Sequence, residues 1–164
     1  MARVYVSVGS NIDRENNFRS AIRSLMELYG EPQMSTVYES KAVGFEGGNF
    51  FNQVVSFDTE DSPETVASAL REIEIRLGRT RNGKKFSSRT VDLDLLLYDD
   101  VITESDTISI PRVEILGHAY ILKPLAEIAG ERRHPMTGER FRDLWEAFDK
   151  SKQEIWPVTF VPIS

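Results

Sequence analysis

Two aspartates, Asp92 and Asp94, stand one residue apart within an apolar run. Side chains of a β-strand alternate between its two faces, so both carboxylates would point to one face, with their Cα atoms about 6.6 Å apart. Mg²⁺ prefers oxygen ligands and is usually held by one or two carboxylates together with the phosphates of a substrate. The spacing therefore predicts a Mg²⁺ site. The D-x-D pattern is common, however, and two acids that merely face solvent at a strand end are the alternative.

The segment between Glu74 and Asp92 is basic: it contains Arg and Lys residues and no acidic residue. Guanidinium groups bind phosphate oxygens, and carboxylates hold the metal ions that phosphoryl transfer requires. The pattern predicts a site for a small phosphorylated anion, with a solvated surface turn as the alternative for its lysines. The absence of a G-x-x-x-x-G-K-[ST] sequence disfavours an ordinary P-loop kinase. The basic residues are Arg76, Arg79, Arg81, Lys84, Lys85 and Arg89.

A pair of adjacent phenylalanines, Phe50 and Phe51, lies in another apolar run. If that run is a strand, one ring faces the core and the other faces outward, and Asn52 shares the face of Phe50. An exposed ring beside an amide can stack on a flat ligand and hydrogen-bond to its edge. The alternative is a core phenylalanine with a partly covered neighbour. For Glu74 and His118, the simplest interpretations are an exposed helix acid and a histidine at the surface or at a helix start.

The composition is that of one globular domain, which we expect to span residues 1–164. The chain is 40% hydrophobic and 28% charged, which is ordinary for a soluble protein. It has no Cys and two His, which excludes a disulfide scaffold, a Cys nucleophile and a three-His metal site. The net charge of −6 disfavours general nucleic-acid binding. We find neither a secretory signal nor a membrane-spanning run, and expect a cytoplasmic monomer with small-molecule ligands and no nucleic-acid or membrane partner.

The elements that must position these residues follow from apolar periodicity. Alternation predicts strands at residues 3–9, 33–39, 50–58 and 91–98. Helical spacing with capping signals predicts helices at residues 13–29, 62–77 and 119–129. The order strand, helix, strand, strand, helix, strand is typical of a ferredoxin-like βαββαβ core. We therefore predict an α+β fold with an antiparallel sheet, helices on one face and extra C-terminal elements, which leaves the other face open for ligands.

The motif R-T-V-D-L-D-L-L-L at residues 89–97 contains both aspartates, and several other motifs accompany it in a fixed order. These are V-Y-V-S-V-G-S-N at 4–11, Val43-Gly44, F-x-N at 50–52, Glu74, G-R-T-R at 78–81 and Pro124-Leu125. Together they resemble the 6-hydroxymethyl-7,8-dihydropterin pyrophosphokinase family of folate biosynthesis. The resemblance implies that the β,γ-pyrophosphate of ATP passes to the hydroxymethyl group of the pterin, with release of AMP. The family's fold agrees with the order of elements above.

The resemblance also implies a role for each matching residue. Two Mg²⁺ ions, held by Asp92 and Asp94, would bridge the triphosphate of the co-substrate ATP. The implied catalytic residues are Arg79, Arg89, Asp92 and Asp94. The implied ATP-binding residues are Glu74, Arg81, Arg89, Arg112 and His118. The implied pterin-binding residues are Ser40, Val43, Phe50, Asn52, Asp92 and Tyr120. The rings of Phe50 and Tyr120 would enclose the pterin, and the amide of Asn52 would hydrogen-bond to its edge.

The chain departs from the family pattern at three places. Arg112 stands where the family usually has His, and His118 stands where it usually has Arg. An imidazole offers fewer hydrogen-bond donors than a guanidinium and carries less charge at neutral pH. Either the two side chains compensate for each other in space or the nucleotide site has changed, and we expect an ATP affinity below that usual for the family. The third departure, Phe86-Ser87-Ser88 in place of an aromatic residue followed by Gly and Pro, lies in the basic loop of residues 79–89 and predicts a different stiffness of that loop.

Two other functions fit the same fold. A diverged paralogue could bind pterin or nucleotide without transferring pyrophosphate. An RNA-binding module could use exposed aromatics of the sheet, but the chain lacks the K/R-G-F/Y-G/A-F-V strand of such modules. Two aspartates beside the aromatics would also repel a phosphate backbone. Because a binding module has no need of these aspartates, they favour the pyrophosphokinase.

Overall fold

The computed structural model describes residues 1–41, 48–78 and 91–162. The strands are β1 (Ala2–Ser10), β2 (Gln33–Met34), β3 (Tyr38–Ser40), β4 (Phe50–Thr59), β5 (Asp92–Tyr98), β6 (Thr103–Glu104), β7 (Ser109–Ile110) and β8 (Ile155–Pro157). The α-helices are α1 (Arg14–Tyr29), α2 (Pro63–Arg76), α3 (Ala119–Ala129) and α4 (Phe141–Ala147). One antiparallel sheet has the order β5-β1-β4-β3-β8, with β2 also paired to β4, and β6 and β7 form a separate hairpin. Within the described part of the chain, no helix has the length and apolar character needed to cross a membrane.

The order of elements up to β5 confirms the predicted ferredoxin-like core, with one strand divided in two. The predicted strand at 33–39 is interrupted at Ser35, whose Oγ accepts a hydrogen bond from Val54 N at 3.0 Å. Ser35 N in turn donates to Val54 O at 3.0 Å. Because a side-chain oxygen replaces a main-chain acceptor here, the regular ladder ends at Met34 and resumes at Tyr38.

The helices α1 and α2 pack on one face of the sheet, as predicted. Apolar residues of both helices form one buried cluster with alternate residues of β1, β4 and β5. Ser62 is the N-cap of α2: its side chain accepts a hydrogen bond from Thr65 N, and Pro63 occupies the first turn. The helix α1 ends at Gly30, whose φ of 81° favours glycine. The signals at Ser62, Pro63 and Gly30 therefore act as expected, whereas Asp13 before α1 has a φ of 40° and makes no side-chain cap.

The opposite face of the sheet is covered along part of its length, so the expectation of an open face is wrong there. Leu125 of α3 and Phe141 of α4 pack with Tyr5, Val54 and Leu96 in a second buried cluster. Periodicity shows that α3 has an apolar side, but it does not show which face of the sheet that side contacts. Ligand access is therefore limited to the end of this face where the strands carry small or polar residues.

Glu127 attaches α3 to the edge of the sheet. Its carboxylate accepts hydrogen bonds from Thr36 N at 2.9 Å, from Thr36 Oγ1 at 2.8 Å and from the Tyr38 hydroxyl at 3.0 Å. After α4 the chain returns to the sheet and adds β8 beside β3. These contacts place the first turn of α3, which contains Tyr120, beside the polar end of the sheet.

The burial of His134 predicts that the stability of the fold depends on pH. Its ring is buried after α3, where Nδ1 accepts hydrogen bonds from Met136 N at 3.1 Å and from Thr137 N at 3.3 Å. Burial lowers the pKa of His134 below its ordinary value of 6.5, and Glu139 offsets this only in part. The unfolded chain therefore binds the proton first as the pH falls. The stabilisation is complete above the ordinary pKa and is lost as the pH falls towards the lower pKa of the folded state.

We expect the melting temperature of the protein to fall between about pH 7 and about pH 5, and to fall less in His134→Asn. Asparagine keeps an acceptor near the position of Nδ1 but does not bind a proton. Thermal denaturation across this range measures the effect. Gln33→Asn, which changes an exposed side chain that does not titrate, is the matched control and should keep the wild-type slope. Equal slopes in His134→Asn and the wild type would assign the pH dependence to other groups.

Candidate active site

Asp92 and Asp94 lie on β5 and face the same side of the sheet, as the alternation predicts. In the strand register, Asp92 is opposite Gly9 and Asp94 is opposite Ser7 of β1. Leu93, between them, is buried in the core on the side of α1 and α2. Because the leucines of β5 must enter that core, both carboxylates point into a pocket on the other face.

This pocket, which we call the sheet pocket, is lined among others by Gly9, Phe50, Asn52, Asp92 and Tyr120. Gly9 lies between Asp92 on one neighbouring strand and Asn52 on the other. The strands that carry the carboxylate and the amide are therefore about 10 Å apart. The floor of the sheet pocket at Gly9 carries no side chain and lies between Asp92 and Asn52. With the rings of Phe50 and Tyr120 beside it, this surface suits a flat polar ring.

The orientation of Asn52 is set by β3. Its Nδ2 donates to Ser40 Oγ at 2.8 Å, and longer contacts reach the carbonyls of Tyr38 and Phe50. The amide oxygen Oδ1 lies over the floor of the sheet pocket, 3.6 Å from where a Cβ at position 9 would stand. Because Ser40 uses the nitrogen side of the amide, Asn52 presents an acceptor to the pocket.

Tyr120 contributes a neutral ring in the first turn of α3. Burial raises the pKa of its phenol, and the negative charges of Asp94, Glu114 and Asp92 raise that pKa further. The hydroxyl therefore stays protonated at neutral pH. The ring also stacks on the imidazole of His118, with centroids 4.9 Å apart and planes inclined by 26°. The neutral ring of Tyr120, held by its stacking on His118, forms what we call the aromatic wall of the sheet pocket.

Arg112 places a positive charge beside the aspartates. Its Nη2 is 3.5 Å from Asp94 Oδ1, and its Nε is 3.4 Å from Glu114 Oε2, without hydrogen-bond alignment in the second pair. Its main-chain N–H donates to Leu96 O at 3.0 Å, which holds the residue against β5. Glu114 also lines the sheet pocket, although its residue type and position did not predict this. Its place two residues after Arg112 is the only signal that could have suggested it.

A second pocket, which we call the edge pocket, runs along the outer edge of β5 between α2 and the β6-β7 hairpin. Glu74 lines it and is only 4% exposed. Its Oε2 accepts a hydrogen bond from Leu93 N at 2.9 Å. The interpretation of Glu74 as an exposed helix acid is therefore wrong, because the carboxylate completes the main-chain hydrogen bonding of the edge strand. Asp94 and Arg112 line both pockets, so the two pockets meet at this ion pair.

His118 lies apart from these linings. It stands just before α3, and the described residues that line the two pockets do not include it. Its contacts are the ring of Tyr120 and the side chain of Gln153, whose Nε2 is 3.1 Å from His118 Nδ1. Of the exchanged pair, then, Arg112 reaches the aspartates and His118 reaches the site through Tyr120. The predicted site residues Val43, Arg79, Arg81 and Arg89 lie outside the described residues.

The donor set at β5 fits a divalent cation that arrives with its substrate. In the ranges 1–41, 48–78 and 91–162, no three or more His, Cys, Asp or Glu side chains are grouped to hold a metal ion by themselves. Asp92 and Asp94 instead offer carboxylates side by side at the wall of an open pocket. This suits Mg²⁺, which keeps several waters and takes its other oxygens from substrate phosphates.

Comparison with known proteins finds one family along most of the chain. The model of the 7,8-dihydro-6-hydroxymethylpterin-pyrophosphokinase (HPPK) family matches residues 5–130. The chain is 36% identical over 146 residues to a 2-amino-4-hydroxy-6-hydroxymethyldihydropteridine pyrophosphokinase of Aquifex aeolicus, which covers 88% of this chain and 91% of the relative. The Bacillus subtilis protein of the same name is 34% identical over 128 residues, 76% of each chain. The folic acid synthesis protein fol1 of Pneumocystis carinii is 35% identical, but the match covers 20% of that longer protein.

Solved structures agree with the fold. A crystal structure of Plasmodium falciparum HPPK-DHPS with STZ-DHP superimposes with a TM-score of 0.66 at 13% identity, over 88% of this chain and 41% of that one. Another, with SDX-DHP, gives a TM-score of 0.64 at 15% identity, over 89% and 43%. The chain therefore spans less than half the length of these structures, and at this identity the likeness shows the fold alone.

Proposed function

The chain belongs to the 7,8-dihydro-6-hydroxymethylpterin-pyrophosphokinase family, and we propose that its two pockets bind the two substrates of that reaction. The activity is the transfer of pyrophosphate from ATP to the hydroxymethyl group of 6-hydroxymethyl-7,8-dihydropterin in folate synthesis. The sheet pocket takes the pterin, and the edge pocket takes ATP.

The observation that carries this proposal is that Asp94 and Arg112 line both pockets. Pyrophosphate transfer requires the triphosphate to meet the acceptor hydroxyl, so the two binding sites must share a border that bears charge. A carboxylate for a metal ion and a guanidinium for phosphate oxygens are the groups such a border needs. The ion pair of 3.5 Å between them is loose enough to exchange for contacts with a ligand.

In the sheet pocket, the pterin ring lies over Gly9 with the rings of Phe50 and Tyr120 against its faces. Its edge carries N–H donors, and Asn52 Oδ1 is the acceptor placed to meet them. Ser40 acts by holding Asn52, and Asp92 lies on the far side of the floor. The family resemblance adds Val43, which lies outside the described residues.

Two Mg²⁺ ions complete the site in this proposal, held by Asp92 and Asp94. When bound, they would neutralise the triphosphate and orient it. The protein then contributes mainly positioning and charge: the carboxylates hold the ions, Arg112 meets phosphate oxygens, and the aromatic wall excludes water. The resemblance assigns Arg79 and Arg89 to the reacting phosphates and Arg81 to ATP, all outside the described residues. Glu74 acts from the edge pocket by fixing the start of β5.

We propose in addition that residues 1–164 form one domain that is monomeric and binds no nucleic acid. Its co-substrate ATP fits a cytoplasmic location. The return of the chain as β8 into the same sheet supports one folding unit. Sedimentation equilibrium gives the oligomeric state directly, and a mass above that of one chain of 18.7 kDa would contradict the monomer.

The activity is tested by ³¹P NMR of the purified protein with MgATP and 6-hydroxymethyl-7,8-dihydropterin. We expect ATP signals to be replaced by those of AMP and a pterin-linked diphosphate. A reaction without pterin is the control for ATP hydrolysis. Intact ATP in a protein that still binds pterin would instead indicate a diverged paralogue.

The exchange of Arg and His predicts different effects on ATP binding at the two positions. Arg112→Ala should weaken ATP binding about tenfold, because a charge-assisted hydrogen bond to phosphate is lost. His118→Ala should leave ATP affinity near that of the wild type, since His118 lines neither pocket in the described part of the site. Calorimetric titration with MgATP measures both. A large loss of ATP affinity in His118→Ala would instead support the ATP-binding role that the family resemblance implies for this residue.

Because Gly9 leaves the floor of the sheet pocket without a side chain, we expect a larger residue at this position to weaken pterin binding without impairing folding. A Cβ at position 9 would stand at ordinary contact distances of 3.6 to 3.9 Å from its neighbours, so Gly9→Ala folds. Gly9→Val suits a strand equally well, but its methyl groups occupy the space of the ligand. We expect the pterin affinity to fall about tenfold in Gly9→Val, with less effect in Gly9→Ala and an unchanged melting temperature. Unchanged pterin binding in Gly9→Val would place the ring elsewhere.

A further inference from the structure

The side chain of Gln153 makes three polar contacts with the start of α3, although 34 residues separate it from Ala119. Its Oε1 accepts a hydrogen bond from Ala119 N at 2.7 Å. Its Nε2 is 3.2 Å from Gly117 O and 3.1 Å from His118 Nδ1. The first N–H groups of a helix have no partner within the helix, and His118 supplies no side-chain cap. The side chain of Gln153, from the C-terminal segment, therefore supplies the capping acceptor that the N-cap residue His118 does not.

The same contacts determine which nitrogen of His118 carries the proton. Ala119 N is only a donor and Gly117 O is only an acceptor, so the amide oxygen must face Ala119 and the amide nitrogen must face Gly117. Nε2 of Gln153 then donates to His118 Nδ1 as well. A ring nitrogen that accepts a hydrogen bond carries no proton. The neutral ring of His118 is thus held in the form protonated at Nε2.

We propose that Gln153 is a positioning residue for the pterin site, acting through His118 on Tyr120. The amide holds the imidazole, the imidazole stacks on the phenol ring at 4.9 Å, and that ring lines the sheet pocket. The inference rests on the proposed function of the sheet pocket. It extends the site to a C-terminal segment beyond residues 5–130, which the family model covers. Neither Gln153 nor His118 touches the substrate in this arrangement.

The tautomer of His118 is a direct test that needs no turnover. Long-range ¹H–¹⁵N correlation spectra at about pH 8 distinguish protonated from bare ring nitrogens of neutral histidine. The chain has two His, and His118→Asn assigns the signals. His134, whose Nδ1 accepts two main-chain hydrogen bonds, is the internal reference for a folded protein.

We expect the proton on Nε2 of His118 in the wild type. In Gln153→Glu the proton should move to Nδ1, because a carboxylate accepts and does not donate. In Gln153→Ala the two forms should be mixed. The matched control is Gln33→Ala, which removes an exposed glutamine from β2 and should leave the wild-type pattern. The signals of His134 should be unchanged throughout.

The functional readout is pterin affinity, measured by equilibrium fluorescence with a non-hydrolysable ATP analogue. Gln153→Ala should raise the Kd for pterin about three- to tenfold, with the Kd for the analogue unchanged. Wild-type tautomer populations in both Gln153 variants, or a changed tautomer with wild-type pterin affinity, would overturn the proposal. A wild-type protein that binds no pterin would instead contradict the proposed function, while the tautomer measurement would still report on the Gln153 contact.

Discussion

Asp92→Asn and Asp94→Asn are each expected to lower kcat by about 10³-fold or more while the melting temperature stays close to that of the wild type. Asparagine preserves the shape of the side chain but lacks the negative charge that holds a divalent cation. Both aspartates are only partly buried, whereas Leu93 and Leu95 carry the packing of β5. The substitutions therefore remove the metal ligand and spare the core.

The matched control is Asp100→Asn, which makes the same change in the exposed turn just beyond β5. It should have wild-type turnover. Titration with Mn²⁺ followed by electron paramagnetic resonance, in the presence of a non-hydrolysable ATP analogue, separates metal binding from chemistry. Weaker Mn²⁺ binding should accompany the loss of turnover in both active-site variants. Near-normal turnover in either variant would remove that carboxylate from the mechanism.

Phe50→Ala and Tyr120→Ala are expected to weaken pterin binding by about 5- to 150-fold each, since stacking of a base on an aromatic side chain contributes about 1–3 kcal/mol. ATP binding should change little, because neither ring lines the edge pocket. Phe50 faces the sheet pocket while its neighbour Phe51 fills the core. The loss of the Phe50 ring should therefore leave the packed interior intact.

Tyr120→Phe is the control that separates the ring from its hydroxyl. It keeps the stacking surface, so pterin affinity should stay near the wild-type value. Equilibrium fluorescence of the bound pterin measures all three variants, and circular dichroism confirms their folding. If Tyr120→Phe were as defective as Tyr120→Ala, the hydroxyl rather than the ring would carry the interaction. If Phe50→Ala bound pterin normally, the ligand would not lie over the floor at Gly9.

The parts of the site that lie on single strands were predictable from sequence. The period of two in β5 places Asp92 and Asp94 on one face, and the same period in β4 puts Phe50 and Asn52 on the face opposite Phe51. Each strand buries its large apolar residues, so the positions of its polar residues follow. The βαββαβ order was also predictable, because apolar periodicity and helix caps are local signals.

The burial of Glu74 was not predictable, because it depends on the edge strand of the sheet. From α2 alone the residue is an acid beside an apolar stripe. Its partner is Leu93 N on β5, which pairs with β1 on one side and has no paired strand on its other side among the described residues. Such a pairing depends on which strand lies at the edge of the sheet. The periodicity within α2 carries no information about that.

Residue types and their spacing were enough to predict the fold class, the faces of the strands and the two aspartates of the site. Three features arise only when the elements pack together: α3 closes part of the second face, Arg112 stands between two pockets, and Gln153 holds His118. Side-chain periodicity is set by the geometry of neighbouring residues along one element. Contacts between elements depend instead on the packing of whole surfaces, in which residues distant in the chain meet only after the core has formed.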